Sequence, residues 1–319
     1  MSPFAFHAQD FAFSFLSILF EGIPFVLLGT LLSGVIDAFL PARAMARLLP
    51  SNRAAAIAVS GLLGLVFPMC ECGVVPVIRR LMRKGLPVSC GIAYMLAAPI
   101  LNPVVAISTF AAFRGQEPAV MTALRLALGF LVAVLVAFAV HAFGGRKVLR
   151  PGVLGEERGG RTAFRIPGSE EPAPDAPEPV AADGGSRWWH AIRVAVGDFF
   201  DVAAYLVIGA GLASLFNTSV NQELVLPLAL HPVWAIASMM GLAAILSLCS
   251  TSDAFIAATF TAFPAAAKLG FLVFGPMFDC KLLFLYSALF RRRFVLLLGL
   301  GLFLTIWLAC ALVGRTFLP

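Results

Sequence analysis

GLLGLVFPMCECGVVPVIRR, residues 61–80, changes character in its middle. Apolar residues run to Phe67 as though a helix were to continue. Then Pro68, Cys70, Glu71, Cys72, Gly73 and Pro76 bring in groups that turn, ionise, or cannot donate a backbone hydrogen bond. A short apolar run follows, and it closes on Arg79 and Arg80. The apolar stretch ahead of the cluster, 54–69, is shorter than the ~20 residues a transmembrane helix needs. The pattern therefore predicts a helix that enters an apolar medium, breaks at the polar cluster and returns over 74–82.

Composition says what that medium is. The chain has 319 residues, 60% hydrophobic and 13% charged, with a mean hydropathy of +0.94. Soluble domains carry about 45–50% apolar and ~25% charged residues, so a water-exposed surface cannot hide this excess. An all-α polytopic membrane protein is expected, and secreted disulfide scaffolds, cytosolic enzymes and nucleic-acid binders are excluded as classes. The pI near 9.3 does not point to nucleic acid, because the basic residues flank apolar runs as the positive-inside rule describes. There is no Gly-rich phosphate loop ending in Lys-Ser/Thr, so no ATP chemistry, enzymatic activity or cofactor is expected.

Runs long enough to span a bilayer lie at 11–40, 88–113, 119–143, 194–216, 270–290 and 294–313. A second short stretch, 232–248, ends in Cys249-Ser250-Thr251-Ser252-Asp253 and resumes over 254–267. The expectation is three full spans plus one re-entrant hairpin per half, 8–10 membrane segments in all, with two short spans in place of each hairpin as the rival reading. Residues 144–187 hold six prolines and balanced charge, with seven basic and seven acidic residues. They read as a disordered connector between membrane repeats at 1–143 and 188–319. If each hairpin returns to its side of entry, Arg43, Arg47, Arg53, Arg79, Arg80, Arg83, Lys84, Arg146, Lys147, Arg150 and Arg291 to Arg293 share one side. That side is the cytoplasm, which places the connector inside and both termini outside.

The halves repeat in register. Glu21 to Cys70 is 49 residues and Asp201 to Cys249 is 48; Cys70 to Pro99 is 29 and Cys249 to Pro276 is 27. Three residues beyond each proline stands Asn102 or Asp279. With three crossings per half the second repeat is inverted, a plan in which broken helices meet near the midplane of a transporter. Such breaks expose unpaired backbone groups, tolerable only where protein or a water-filled cavity satisfies them.

The chemistry-bearing candidates follow from these breaks. Cys70 and Cys72 can present two thiolates to one soft metal or metalloid, or can simply be small packing residues. Glu71 between them is an ionisable group inside a membrane segment, which is costly and usually functional. Cys249, Ser250, Ser252 and Asp253 either cap the next half-helix or line a solute path. Asn102 and Asp279 occupy the second break of each half, and Lys281 can neutralise Asp279. Glu71, Asp253 and Asp279 are the candidates for proton exchange, with Glu21 a further acid within the first span. His7, His141, His190 and His231 fall near span ends, and Cys90 and Cys310 read as packing residues.

Four motifs in order resemble a known family: Pro68-Met69-Cys70-Glu71-Cys72-Gly73-Val74-Val75-Pro76, Ala97-Ala98-Pro99-Ile100-Leu101-Asn102-Pro103, Leu248-Cys249-Ser250-Thr251-Ser252-Asp253-Ala254-Phe255 and Gly275-Pro276-Met277-Phe278-Asp279-Cys280-Lys281. They are similar to the bacterial predicted-permease family that includes the organoarsenical efflux permeases. The resemblance implies a secondary permease of the bacterial inner membrane and, for some members, export of trivalent arsenicals on cysteine thiols. Glu71 departs from the small residue found between the cysteines of relatives, and a carboxylate there favours a divalent cation. The partners implied are the lipid bilayer and a small soft metal or metalloid solute, with no nucleic acid. A second copy or an accessory membrane subunit completes the set, and a channel-like subunit acting with a partner is the rival reading.

Overall fold

The computed structural model describes residues 8–39, 50, 52–66, 69–143, 148–150, 184–219 and 232–316. These form α1 (Ala8–Phe39), α2 (Arg53–Val66), α3 (Glu71–Arg83), α4 (Val88–Ala97), α5 (Pro103–Ala112) and α6 (Pro118–Ala142) in the first half. The second half comprises α7 (Gly184–Ser219), α8 (Pro232–Leu246), α9 (Asp253–Thr259), α10 (Ala265–Met277), α11 (Cys280–Leu289) and α12 (Arg292–Thr316). No strand occurs among the described residues, only an isolated bridge between Leu149 and Phe290. Each half runs long helix, four short helices, long helix. Among the described residues four stretches are long and apolar enough to cross a membrane: Gln9–Phe39, Pro118–Ala142, Ala265–Leu289, which is interrupted at Phe278 and Asp279, and Arg292–Arg315. The outer faces of the first, second and fourth carry exposed Phe13, Phe20, Leu131, Leu297 and Leu308, as a lipid-facing surface requires, while the third is mostly buried.

The polar clusters break helices as expected. α2 ends at Val66 and α3 begins at Glu71, while α8 ends at Leu246 and α9 begins at Asp253. The runs at 88–113 and 270–290, expected as single spans, are each two helices instead. α4 ends at Ala97, and the chain restarts at α5, where Asn102 Oδ1 accepts the Val104 N–H at 2.9 Å and Pro103 lacks an N–H to continue the ladder. α10 gives way to extended Phe278 and Asp279, and Asp279 Oδ1 caps α11 by accepting the Leu282 N–H at 2.7 Å. Pro68 lies outside the described residues, so its part in the first break is not described.

Close approaches set the helix directions. α1 and α7 are antiparallel: Phe39 at the end of α1 meets Trp188 near the start of α7 with ring centroids 5.1 Å apart, and Phe15 lies by Gly211. α3 runs parallel to α1. Gly73 lies against the Phe25 carbonyl, and Lys84 Nζ donates to the Asp37 carbonyl at 2.8 Å. A Cβ on Gly29 would sit 2.2 Å from the Gly73 oxygen, so only glycine permits this backbone-to-backbone seam. Ala56 and Ile57 at the start of α2 pack with Leu86 and Cys90 just beyond α3. The segment 53–83 thus enters and leaves at one end of the bundle, the end that also holds Arg79, Arg80 and Lys84. In the second half, Lys268 near the start of α10 donates to Gln116 Oε1 at 2.8 Å, and Gln116 donates to the Ala258 carbonyl of α9 at 3.4 Å. Those termini lie beside the start of α6, at the opposite end.

Helix α7 starts at Gly184, four residues inside the stretch 144–187 expected to be connector. Residues 148–150 are also structured: Arg150 N–H donates to the Leu289 carbonyl, and Arg291 N–H to the Val148 carbonyl, both at 2.9 Å. The remainder of the connector, 151–183, lies outside the described residues.

Candidate functional site

The breaks in the short helices bring together six ionisable side chains that the sequence scatters over 260 positions. Glu71 opens α3 and Lys281 lies in the first turn of α11. Lys281 Nζ is 2.9 Å from Glu71 Oε1 and 3.5 Å from Asp279 Oδ2, with Glu71, Lys281 and Asp279 all buried. Nζ also donates to the carbonyls of Ser247, at 3.0 Å, and Leu248, at 3.2 Å. Ser247 has φ of +48°, a left-handed exit from α8 that frees these carbonyls from the helix ladder. One ammonium thus answers two carboxylates and two orphaned carbonyls, which is how a buried charge becomes tolerable.

Asp253 opens α9 as Glu71 opens α3, and its counter-ion comes from the opposite half. Arg125 of α6, fully buried, donates to Asp253 Oδ2 at 2.7 Å, to Thr109 Oγ1 at 2.7 Å and to the Ser250 carbonyl at 3.0 Å. Ser250 joins the two pairs, because its hydroxyl donates to Glu71 Oε2 at 3.3 Å. Ser252 Oγ donates to Glu21 Oε1 at 3.3 Å. Both acids sit in the first turn of a half-helix, where the positive end of the helix dipole favours them.

Beside these pairs is a small cavity lined by Cys70, Cys72, Cys249, Glu21, Glu71 and Lys281. Its volume of about 10 Å³ is room for roughly one water. Cys70, Cys72 and Cys249 are free thiols and buried. Among the described residues no three His, Cys, Asp or Glu side chains are arranged to hold a metal ion.

Of the residues singled out from sequence, Cys70, Glu71, Cys72, Cys249, Ser250, Ser252, Asp253 and Asp279 fall in or against this cluster. Asn102 caps α5 and, among the described residues, its side chain bonds only the Val104 N–H. Cys90 and Cys310 are packed in the core. Asp198 is buried, 2.8 Å from Arg80 Nη2 and 2.8 Å from the Ser33 hydroxyl. His190 pairs with Asp37 at 3.1 Å. Arg125 was not among the sequence candidates. It sits within an apolar run, and the rule that marks Glu71 and Asp253 applies equally to a cation.

The chain matches a family model described as predicted permease over residues 7–315. It belongs to the predicted-permease family. Among curated relatives, UPF0718 protein YcgR of Bacillus subtilis is 38% identical over 287 residues, covering 89% of this chain and 90% of the relative. A Streptococcus mutans protein called a putative two-component membrane permease complex subunit is 32% identical over 305 residues, covering 94% of this chain and 93% of the relative. No solved structure matches the chain. This predicted permease thus carries its family's similarity across both halves, and the resemblance drawn from the four motifs holds.

Proposed function

We propose that the chain is a secondary permease of the bacterial inner membrane, built from two inverted repeats, that exports a small thiophilic solute such as a trivalent organoarsenical without altering it chemically. The observation that carries this reading is the cavity where broken helices from both halves present Cys70, Cys72 and Cys249 beside Glu71 and Lys281. The antiparallel α1 and α7 and the matched helix order support inversion. The shared end for Arg79, Arg80, Lys84, Arg150 and Arg291 supports a cytoplasmic assignment for that end, with both termini outside.

In this mechanism each thiol in turn displaces a hydroxide or thiolate ligand from the metalloid, its proton leaving with that ligand as water or free thiol, and the exchange reverses on release, since soft sulfur selects soft metalloids. A cavity the size of one water must widen for that, by parting α3 and α11 at the Glu71–Lys281 bond. Lys281 already answers the Glu71 carboxylate, which opposes a divalent cation there and suits a neutral metalloid. Among the described residues the buried Asp253 Oδ1 accepts no hydrogen bond, and Asp279 Oδ2 has only the Lys281 ammonium at 3.5 Å. They are the positions at which a coupling proton can be taken up and released.

Transport of methylated trivalent arsenic into everted vesicles tests the reading. Cys70→Ser and Cys72→Ser are each expected to reduce it at least tenfold, while Cys310→Ala leaves it intact. Unchanged transport of thiophilic solutes in both Ser variants would remove the thiols from the mechanism. A second reading is favoured by the S. mutans relative's name: the chain is one membrane subunit of a two-component permease. Reconstitution of the purified chain alone separates the two, since concentrative transport without a partner excludes the second.

A further inference from the structure

The basic residues at one end of the bundle fall into two groups of opposite character. Arg79, Arg80 and Lys84 are answered by Asp37, Asp198 and Asp201 at 2.8–4.0 Å. Arg150, Arg291 and Arg292 have no acidic partner among the described residues. They border a cleft of about 700 Å³ between α7, α11 and α12, whose wall includes Tyr205, Phe284 and Leu296. Among the described residues the Arg150 side chain makes two long bonds, to Tyr205 Oη at 3.3 Å and the Ser287 carbonyl at 3.4 Å. Arg291 uses Nε on the Leu149 carbonyl at 3.2 Å, which leaves its terminal amino groups for another acceptor.

The position of the cleft decides its ligand. Arg292 begins the Arg292–Arg315 span, so the arginines stand at the boundary between water and hydrocarbon. Leu296, one turn deeper, is 62% exposed and faces the same cleft. A soluble anion has no use for the apolar wall, and a zwitterionic lipid brings a choline cation that three guanidinium groups repel. We infer that the cleft is a binding site for an anionic phospholipid: Arg150, Arg291 and Arg292 hold the phosphodiester, and Phe284 and Leu296 pack on the upper acyl chain. Guanidinium forks suit phosphate oxygens, and basic pockets between membrane helices are known to take lipid headgroups. The site is separate from the thiol cavity and does not depend on what the permease carries.

The test is native mass spectrometry of the purified full-length chain in neutral detergent, titrated with phosphatidylglycerol, phosphatidylcholine or inorganic phosphate. Saturable binding of phosphatidylglycerol is expected, at least about tenfold tighter than phosphatidylcholine and not displaced by millimolar phosphate. Arg150→Gln with Arg292→Gln should weaken it by on the order of tenfold or more, given the attraction each basic residue contributes near an anionic surface. Arg292→Gln alone, which removes no hydrogen bond described above, should weaken it about fivefold and keeps the result readable if the double variant misfolds. Arg315→Gln, at the far end of α12, should change nothing. Equal binding of the two lipids, or indifference to the arginine variants, overturns the site. Displacement by phosphate would make the ligand a soluble anion and overturn the lipid.

Discussion

Glu71 and Lys281 are 210 positions apart in sequence and 2.9 Å apart in space. Their bond joins the first turn of α3 in one half to the first turn of α11 in the other. With the Arg125–Asp253 bond, which runs the opposite way between halves, it fastens the two halves through the site itself. On the proposed mechanism, a bond that fastens the halves and lines the cavity has to change for the cavity to widen.

Lys281→Met leaves Glu71 buried without its cation. Removing one partner of a buried pair costs about 3–5 kcal/mol, so thermal unfolding in detergent should fall by many degrees. Glu71→Gln combined with Lys281→Met removes both charges and should recover much of that loss. A double variant no more stable than Lys281→Met alone would show that the pair is not coupled as the 2.9 Å contact requires.

Arg125→Lys keeps the charge and loses the fork. Arg125 reaches Thr109 through Nη1 and the Ser250 carbonyl and Asp253 through Nη2; one ammonium on a shorter side chain does not replace both nitrogens, so at least one buried acceptor loses its donor at a cost of about 1–3 kcal/mol. Unfolding midpoints check this, and an unchanged midpoint would contradict the three-way contact.

Gly29→Ala should separate α1 from α3, because the added carbon would meet the Gly73 oxygen at 2.2 Å. The oxygen belongs to the backbone of α3 and the added Cβ is fixed to that of α1, so neither can rotate away. A loss of about 1–3 kcal/mol is expected, as for other overpacked interiors. Gly301→Ala, with nothing within 4 Å of the added carbon, is the control and should be neutral or slightly stabilising.

At the basic end, Asp198→Asn and Asp201→Asn should differ sharply. The Asp198 side chain is 8% exposed and holds Arg80, whereas Asp201 is 62% exposed. Loss of the first should cost about 1–3 kcal/mol as a buried charged bond, and loss of the second under about 1 kcal/mol as a screened surface pair. Equal effects would place the two aspartates in the same environment.

Much of this was legible in one dimension. The excess of apolar residues dictated helices in a membrane, since only internally bonded backbone is stable there. Cys70-Glu71-Cys72-Gly73 and Cys249 to Asp253 marked the helix breaks, because glycine, proline and ionised groups act locally. The breaks at Asn102 and Asp279 were half-read: the polar residues were noticed, but Val88 to Phe113 and Gly270 to Phe290 still looked like single spans. Hydropathy sums over residues and is blind to a side chain that caps a new helix. The sequence by itself therefore determined the medium, the helical content and the positions of most of the polar residues at the site. The tertiary structure decided their partners. Glu71 takes Lys281 and Asp253 takes Arg125, because a buried charge seeks whichever opposite charge the packing of other helices brings near, and sequence distance does not enter that choice.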